Sequence, residues 1–216
     1  MYIFSIPLVV SVLGLFITAS IFAKDRTEIN DRVHAVYQAI VRIEVVSERG
    51  ANGRMLKSGS TGSGVIIDSS GLVVTNHHVA GKATRLTCRL YDGEEVGADL
   101  LGADALTDLA VLRLRLEDRP ADAQSITTAV FGDSDLVRVG DPCFAMGSPA
   151  GLSQSVTRGI ISNLALISNR SGSFRLDGEN VGELVRWLGH DALKFLIIEL
   201  VILLILDLEL VLTIAR

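Results

Sequence analysis

Cysteine is nearly missing from this chain. Cys88 and Cys143 are the only two among 216 residues, and two so far apart do not make a disulfide framework. Neither has a second Cys or a His at metal-ligand spacing, so no metal site is expected, and no motif asks for a cofactor. Two readings of the pair stay open: one bridge in an exported protein, or two buried free thiols. Excess positive charge is missing too. The formal net charge is −5 and the pI about 5.4. With no basic stripe to follow a phosphate backbone, no nucleic-acid partner is expected. Serine stops at Ser173 and does not return before the C-terminus.

What is plentiful is apolar side chain, and it is placed unevenly. Mean hydropathy is +0.42 although the charged fraction is an ordinary 21%, because the excess lies at the two ends. Tyr2 to Ala23 carries no charge and reads as a signal peptide or an N-terminal membrane anchor, an apolar helix in either case. No Lys or Arg precedes it, and cleavage after Ala19 or Ala23 would leave Ile17 or Ile21 three residues back. Either form implies a protein that is exported: periplasmic, otherwise extracytoplasmic, or anchored through residues 2–23. At the other end, Phe195 to Ile214 is strongly apolar, interrupted by Glu199, Asp207 and Glu209. Each acid near a membrane centre costs about 2.5–3.5 kcal/mol while each Leu or Ile contributes roughly −0.3 to −0.6, so insertion is near balance. The alternation Leu206-Asp207-Leu208-Glu209-Leu210 favours a strand pair instead.

Between these ends the chain reads as strands. Residues 24–40 form a charged connector and a short helix over Asp31–Ala39, with Val33, Val36, Tyr37 and Ile40 at three-to-four spacing. The domain proper runs over 41–216. Val41 to Ser47 alternates and is β-branched. Glu48 to Ser60 is rich in Gly, Ser and Lys and reads as a mobile loop. Strands are expected over Gly64–Asp68, Gly71–Thr75, Arg85–Leu90, Glu95–Ala103, Leu109–Leu116, Val137–Met146, Ser153–Ile161, Asn163–Ser168 and Val181–Leu188, with a hairpin turn at Tyr91-Asp92-Gly93-Glu94. Many short strands and little helix predict an all-β barrel or sandwich.

One stretch speaks of chemistry. Thr75-Asn76-His77-His78-Val79-Ala80 sets two histidines in a polar turn at a strand end, and thirty residues past His78 comes Leu106-Thr107-Asp108-Leu109-Ala110-Val111-Leu112. Acyl transfer from a peptide needs a base that cycles near neutral pH, a carboxylate to orient it, and a hydroxyl nucleophile. By themselves a His and an Asp at this distance are common. The words around them are more specific. Gly62-Ser63-Gly64-Val65-Ile66-Ile67-Asp68 followed by Thr75-Asn76-His77-His78-Val79 resembles the trypsin-like serine proteases of the HtrA/Deg type. So does Thr107-Asp108-Leu109-Ala110-Val111-Leu112. Gly132-Asp133-Ser134, Val139-Gly140-Asp141, Ala145-Met146-Gly147-Ser148-Pro149 and Ser155-Val156-Thr157-Arg158-Gly159-Ile160-Ile161-Ser162 follow in that family's order. The resemblance implies two antiparallel six-stranded β-barrels with the site between them. It implies His78 as base, Asp108 as orienting carboxylate, protein or peptide substrates, and no metal or cofactor. It leaves His77 at a variable position, an exposed turn residue, and makes Asp104 a poorer match than Asp108.

The resemblance breaks at residues 192–216. The family's nucleophile sits in Gly-Asn-Ser-Gly-Gly, eight residues after an Asp-Ala pair. Here that pair is Asp191-Ala192, and eight residues on stands Glu199, inside Leu196-Ile197-Ile198-Glu199-Leu200-Val201. Laid down without a gap, Leu203, Leu206, Asp207, Glu209, Leu210 and Val211 still fall on matching positions, while Leu208 and Leu212 stand where glycines belong. That register favours in-place replacement over a frameshift. The expected function is therefore a serine endopeptidase working by a His-Asp-Ser mechanism but defective in this chain. The alternative is a non-catalytic peptide-binding or membrane-tethered pseudoprotease.

Overall fold

The computed structural model describes residues 30–51, 54–105, 107–147, 155–166, 175–176, 179–180, 187–192, 201–205 and 211–213. The apolar N-terminal segment, with its signal or anchor reading, lies outside them. The chain divides into two compact units, Met1–His34 and Ala35–Arg216; the barrel, the second sheet and the site all belong to the latter. Residues 30–38 are helical (α1), close to the expected helix.

Six strands then close into a barrel: β1 (Ile40–Ala51), β2 (Arg54–Ile66), β3 (Leu72–Asn76), β4 (Arg85–Arg89), β5 (Glu95–Asp104) and β6 (Leu109–Leu114). They run around it in the order β1-β2-β3-β6-β5-β4. A single helical turn, α2 (His77–Ala80), interrupts the path from β3 to β4. The period-two pattern does the work. Val41, Ile43 and Val45 from β1, Leu86 and Cys88 from β4, Val96 and Ala98 from β5, and Ala110, Leu112 and Leu114 from β6 all point into one core. Closing the sheet removes its edges, which an open sheet of this size would have to protect. Turns fall where the sequence provides for them: Gly71 and Gly93 adopt φ of 87° and 91°.

The expected mobile loop over Glu48–Ser60 is instead ladder. β1 and β2 stay in register from Ile40↔Val65 to Ala51↔Arg54, well past the stretch where β4 flanks β1 at Arg42–Val46. Arg54 to Ser60 are all exposed. With no buried face there is no alternation to read, and Gly and Ser have little strand preference of their own. The pairing propagates from the barrel outward.

The connection out of the barrel is tied back to it. Arg119 donates through Nε and Nη2 to Glu94 Oε1 (2.9 Å) and Oε2 (2.6 Å), and through Nη2 to the Gln124 carbonyl (2.9 Å). The hydrogen bonds from Arg119 hold the Glu94 carboxyl below the usual carboxylate range. Ala129 N–H then donates to the Ile66 carbonyl at 2.8 Å, bringing the chain alongside β2.

The second half forms a five-stranded antiparallel sheet in the order β11-β8-β7-β12-β13. Its strands are β7 (Pro142–Gly147), β8 (Ser155–Leu166), β11 (Trp187–His190), β12 (Val201–Ile205) and β13 (Val211–Thr213); the short strands β9 (Arg175–Leu176) and β10 (Glu179–Asn180) pair separately. Where two six-stranded barrels are expected, the described residues thus close one and leave this second sheet open. β8 is one strand rather than the two expected, continuous through Ser162. Val137, Cys143, Ala145, Ile161 and Ala192 form its core, with Leu188 against them. The described parts of the apolar tail are β: β12 pairs with β7, Ile202 opposite Met146, and with β13, Ile202 opposite Leu212. Among the described residues no helix is long and apolar enough to cross a membrane. Cys88 and Cys143 are both free and buried, which decides between the two readings of the pair.

Candidate functional site

The site is built on the β3–β6 ladder. Asn76 pairs with Leu109, so the next residues along, His77 and Asp108, also face each other, and His77 N–H donates to the Asp108 carbonyl at 2.9 Å. A carboxylate one residue before β6 is thereby delivered to the start of α2. Asp108 takes φ of 57°, the one non-glycine residue with positive φ among those described. Asp tolerates this conformation better than most residues. The turn aims its side chain at His78.

The geometry between them is tight. His78 Nδ1 lies 2.7 Å from Asp108 Oδ2, and His78 N–H donates to Oδ1 at 2.9 Å. The Asp108 side chain is 2% exposed and that of His78 26%. One ring nitrogen thus meets a buried carboxylate while the ring keeps access to solvent. With Nδ1–H donating to Oδ2, the neutral ring has an unprotonated Nε2, the form a general base requires. Asp104, the other acid nearby, is exposed and accepts from Thr107 Oγ1 at 2.8 Å. Asp104 pairs with Leu109 from β5, on the side of β6 away from β3, so Asp108 and not Asp104 reaches the ring.

Small residues in β2 make room for this arrangement. A Cβ on Gly62 would meet Val79 Cγ1 at 2.5 Å, and one on Gly64 would meet Val73 Cγ1 at 2.7 Å. Gly62 therefore lets α2 settle on the barrel with Val79 and Ala80 buried, and Gly64 lets the strands close. Thr75 Oγ1 donates to the Ser63 carbonyl at 2.7 Å, continuing the link between β2 and β3 beyond their last paired residues, Val65 and Val74. The Gly62→Ala substitution is expected to lower stability by about 1–3 kcal/mol through overpacking against Val79, read as a fall in the urea midpoint. Gly59→Ala, in the exposed ribbon, serves as the control.

The remaining sequence-derived site residues divide. His77, expected as an exposed turn residue, is half-buried; its ring packs over Gly81, where a Cβ would come within 2.3 Å of His77 Cδ2. Asp191-Ala192 docks on β8. Asp191 Oδ1 accepts from Ile160 N–H at 2.7 Å, and Ala192 N sits 2.3 Å from where a Gly159 Cβ would be. Glu199, at the predicted nucleophile position, lies outside the described residues. Neither thiol is a substitute nucleophile: burial pushes Cys88 up to about 12, and burial, with Asp191 behind it, pushes Cys143 up to about 11. Among the described residues no cluster of His, Cys, Asp and Glu could hold a metal ion. Sequence reasoning passed over Asn76, whose Nδ2 lies 3.1 Å from the Asp108 carbonyl and 3.4 Å from Oδ2. Its signal is its place in Thr75-Asn76-His77-His78-Val79, the stretch that carries the resemblance, two residues before His78.

Comparison with known proteins agrees with this construction. Residues 62–192, more than half of the chain, match the family described as trypsin-like peptidase domain. The chain is 39% identical over 152 residues to a probable periplasmic serine endoprotease DegP-like of Halomonas elongata, covering 62% of this chain and 31% of that protein. It is 37% identical over 157 residues to the serine protease Do-like HtrA of Bacillus subtilis, covering 66% and 33%. Among solved structures, the HtrA-type protease AlgW with tripeptide is similar at 34% identity and a TM-score of 0.53, covering 66% of this chain and 42% of that one. The chain spans about a third of the length of these two curated relatives. From the Gly62 cradle to the Asp191-Ala192 anchor, the matched stretch contains the whole described site, and the chain belongs to the trypsin-like peptidase family, its relatives being HtrA/DegP serine proteases.

Proposed function

We propose that this chain is an exported serine endopeptidase domain of the HtrA/Deg type, with His78 as general base and Asp108 as the carboxylate that orients it, acting on protein or peptide substrates. The observation that carries the reading is the 2.7 Å contact between His78 Nδ1 and a buried Asp108 Oδ2. In the complete reaction His78 Nε2 takes the proton of a serine hydroxyl as its oxygen attacks the scissile carbonyl, and later returns it to the leaving amine. Asp108 holds the ring and stabilises the imidazolium.

In this chain the last step of assembly is missing. Glu199 stands where the serine belongs, and Ile197, Ile198, Leu200 and Val201 replace residues whose glycines allow backbone N–H groups to turn toward an oxyanion. A carboxylate attacking an amide would form a poor mixed anhydride and would set negative charge where the oxyanion develops. The domain is therefore defective in hydrolysis as written. The absence of any serine after Ser173 favours a second reading, a peptide-binding or membrane-tethered pseudoprotease. The second sheet is part of the second antiparallel barrel, and Leu208 and Leu212 stand where that segment's glycines belong. Residues 1–23 serve as signal peptide or anchor, 24–40 as linker and 41–216 as protease domain; the periplasmic names of the relatives support export.

A fluorophosphonate probe tests this directly, because it reacts with an activated serine and not with a carboxylate. The expected result is no labelling of the purified chain. Covalent labelling mapped to any of its serines would show that a nucleophile exists and that the defect does not.

A further inference from the structure

Asn76 is 1% exposed and sits at the end of β3, where its side chain meets Asp108 twice. Nδ2 is 3.1 Å from the Asp108 carbonyl and 3.4 Å from Oδ2. Both of these atoms are acceptors, so the amide has only one sensible orientation; turned over, its oxygen would face two oxygens. In the orientation that bonds Asp108, Asn76 Oδ1 is buried without a hydrogen-bond partner in the structure. An orphaned buried carbonyl is a standing cost. A position chosen for packing alone would be filled by an apolar residue at no such cost, as Val73 and Val74 are in the same strand. The cost is incurred in order to reach Asp108.

We infer that Asn76 is a positioning residue: it acts through Asp108 to hold the His78 ring with its proton on Nδ1. The two oxygens of the Asp108 carboxylate and its carbonyl are met by donors from three consecutive residues. His77 N–H and Asn76 Nδ2 take the carbonyl, His78 N–H takes Oδ1, and His78 Nδ1 and Asn76 Nδ2 converge on Oδ2. The shorter Asn76 contact is the one to the carbonyl. Asn76 therefore acts mainly on the backbone of a residue held at φ of 57°, a conformation that must be braced from outside. Released, Asp108 can turn its carboxylate away from Nδ1, and the ring loses what selects its tautomer. The inference rests on reading His78 and Asp108 as base and orienting acid, but its test needs no serine.

Imidazole ¹H–¹⁵N correlation spectra of the full chain near neutral pH report the tautomer and the solvent exchange of the His78 Nδ1 proton. His78→Gln assigns the signals. In the parent Nδ1–H is expected as the only neutral tautomer. In Asn76→Ala the Nε2–H form appears and Nδ1–H exchange quickens by about tenfold or more. Asn76→Leu, which keeps the branched side-chain framework and removes the donor, gives the same result should the alanine variant not fold. Thr75→Val removes a buried hydrogen bond from the same strand but none to Asp108; it is expected to leave tautomer and exchange as in the parent while lowering stability. An unaltered tautomer and exchange rate in both Asn76 variants would overturn the inference, as would the same change in Thr75→Val. Labelling by the fluorophosphonate probe would overturn the defect and leave this inference standing.

Discussion

Asp108→Ala is expected to lower the free energy of unfolding by about 3–5 kcal/mol, a large part of the 5–15 kcal/mol typical of a domain. The carboxylate is buried and receives His78 N–H, His78 Nδ1 and Asn76 Nδ2. Removing it leaves buried donors without acceptors, at about 1–3 kcal/mol each. The His78 ring can turn to solvent and recover part of its loss; the Asn76 amide, at 1% exposure, keeps only its bond to the residue 108 carbonyl. Alanine at φ of 57° adds a further cost of about 1 kcal/mol, because Asp adopts the left-handed region more readily. Asp108→Asn keeps the shape and one accepting oxygen and should cost less than half as much. Urea unfolding of the three proteins measures both. An alanine variant within 1 kcal/mol of the parent would mean that this network does not brace the barrel.

The second large effect concerns the end of the chain. Installing Gly-Asn-Ser-Gly-Gly across positions 197–201 is expected to raise peptide hydrolysis by up to about 10⁶-fold over the parent, the scale on which loss of a serine nucleophile or its base is felt. Glu199→Ser alone restores the hydroxyl but not the glycines. It should fall short of the full graft by about 10²–10³, the worth of an oxyanion-hole donor. His78→Ala in the grafted chain should return hydrolysis to the parent's level. The graft also touches the first residue of β12, where Val201 pairs with Thr213, so circular dichroism must accompany the assay. A quenched-fluorescence peptide gives the rates. A parent that cleaves as fast as the graft would refute the defect, and a single Glu199→Ser variant as fast as the graft would refute the argument from the lost glycines.

How much of this was legible beforehand differs from element to element. β6 was readable because Ala110, Leu112 and Leu114 alternate with exposed Arg113 and Arg115. A strand with one wet face and one dry face records its own geometry. The outer ribbon of β1 and β2 was not readable, because neither face of Arg54 to Ser60 is buried. α2 was read as a turn. Four residues are too few for a helical period, and what holds them is Val79 seated over Gly62 of the neighbouring strand β2. The division of β8 into two strands failed at Ser162: the ladder with β11 shifts register there, between Ile161 opposite His190 and Asn163 opposite Gly189, but the strand itself runs on.

The sequence by itself determined the family, the all-β class, the two histidines with an acid thirty residues on, and the missing serine. These are properties of residue identity and spacing, and residue chemistry does not wait for a fold. Only the tertiary structure decided which contacts those residues make. It closed the first barrel, ordered the described strands of the second half into one sheet, set Asp108 rather than Asp104 against His78, and put Asn76 against Asp108. The reason is the β3–β6 register. Pairing Asn76 with Leu109 brings Asn76 against Asp108, 32 residues away in the chain, and no local pattern encodes a distance that only the closed ladder creates.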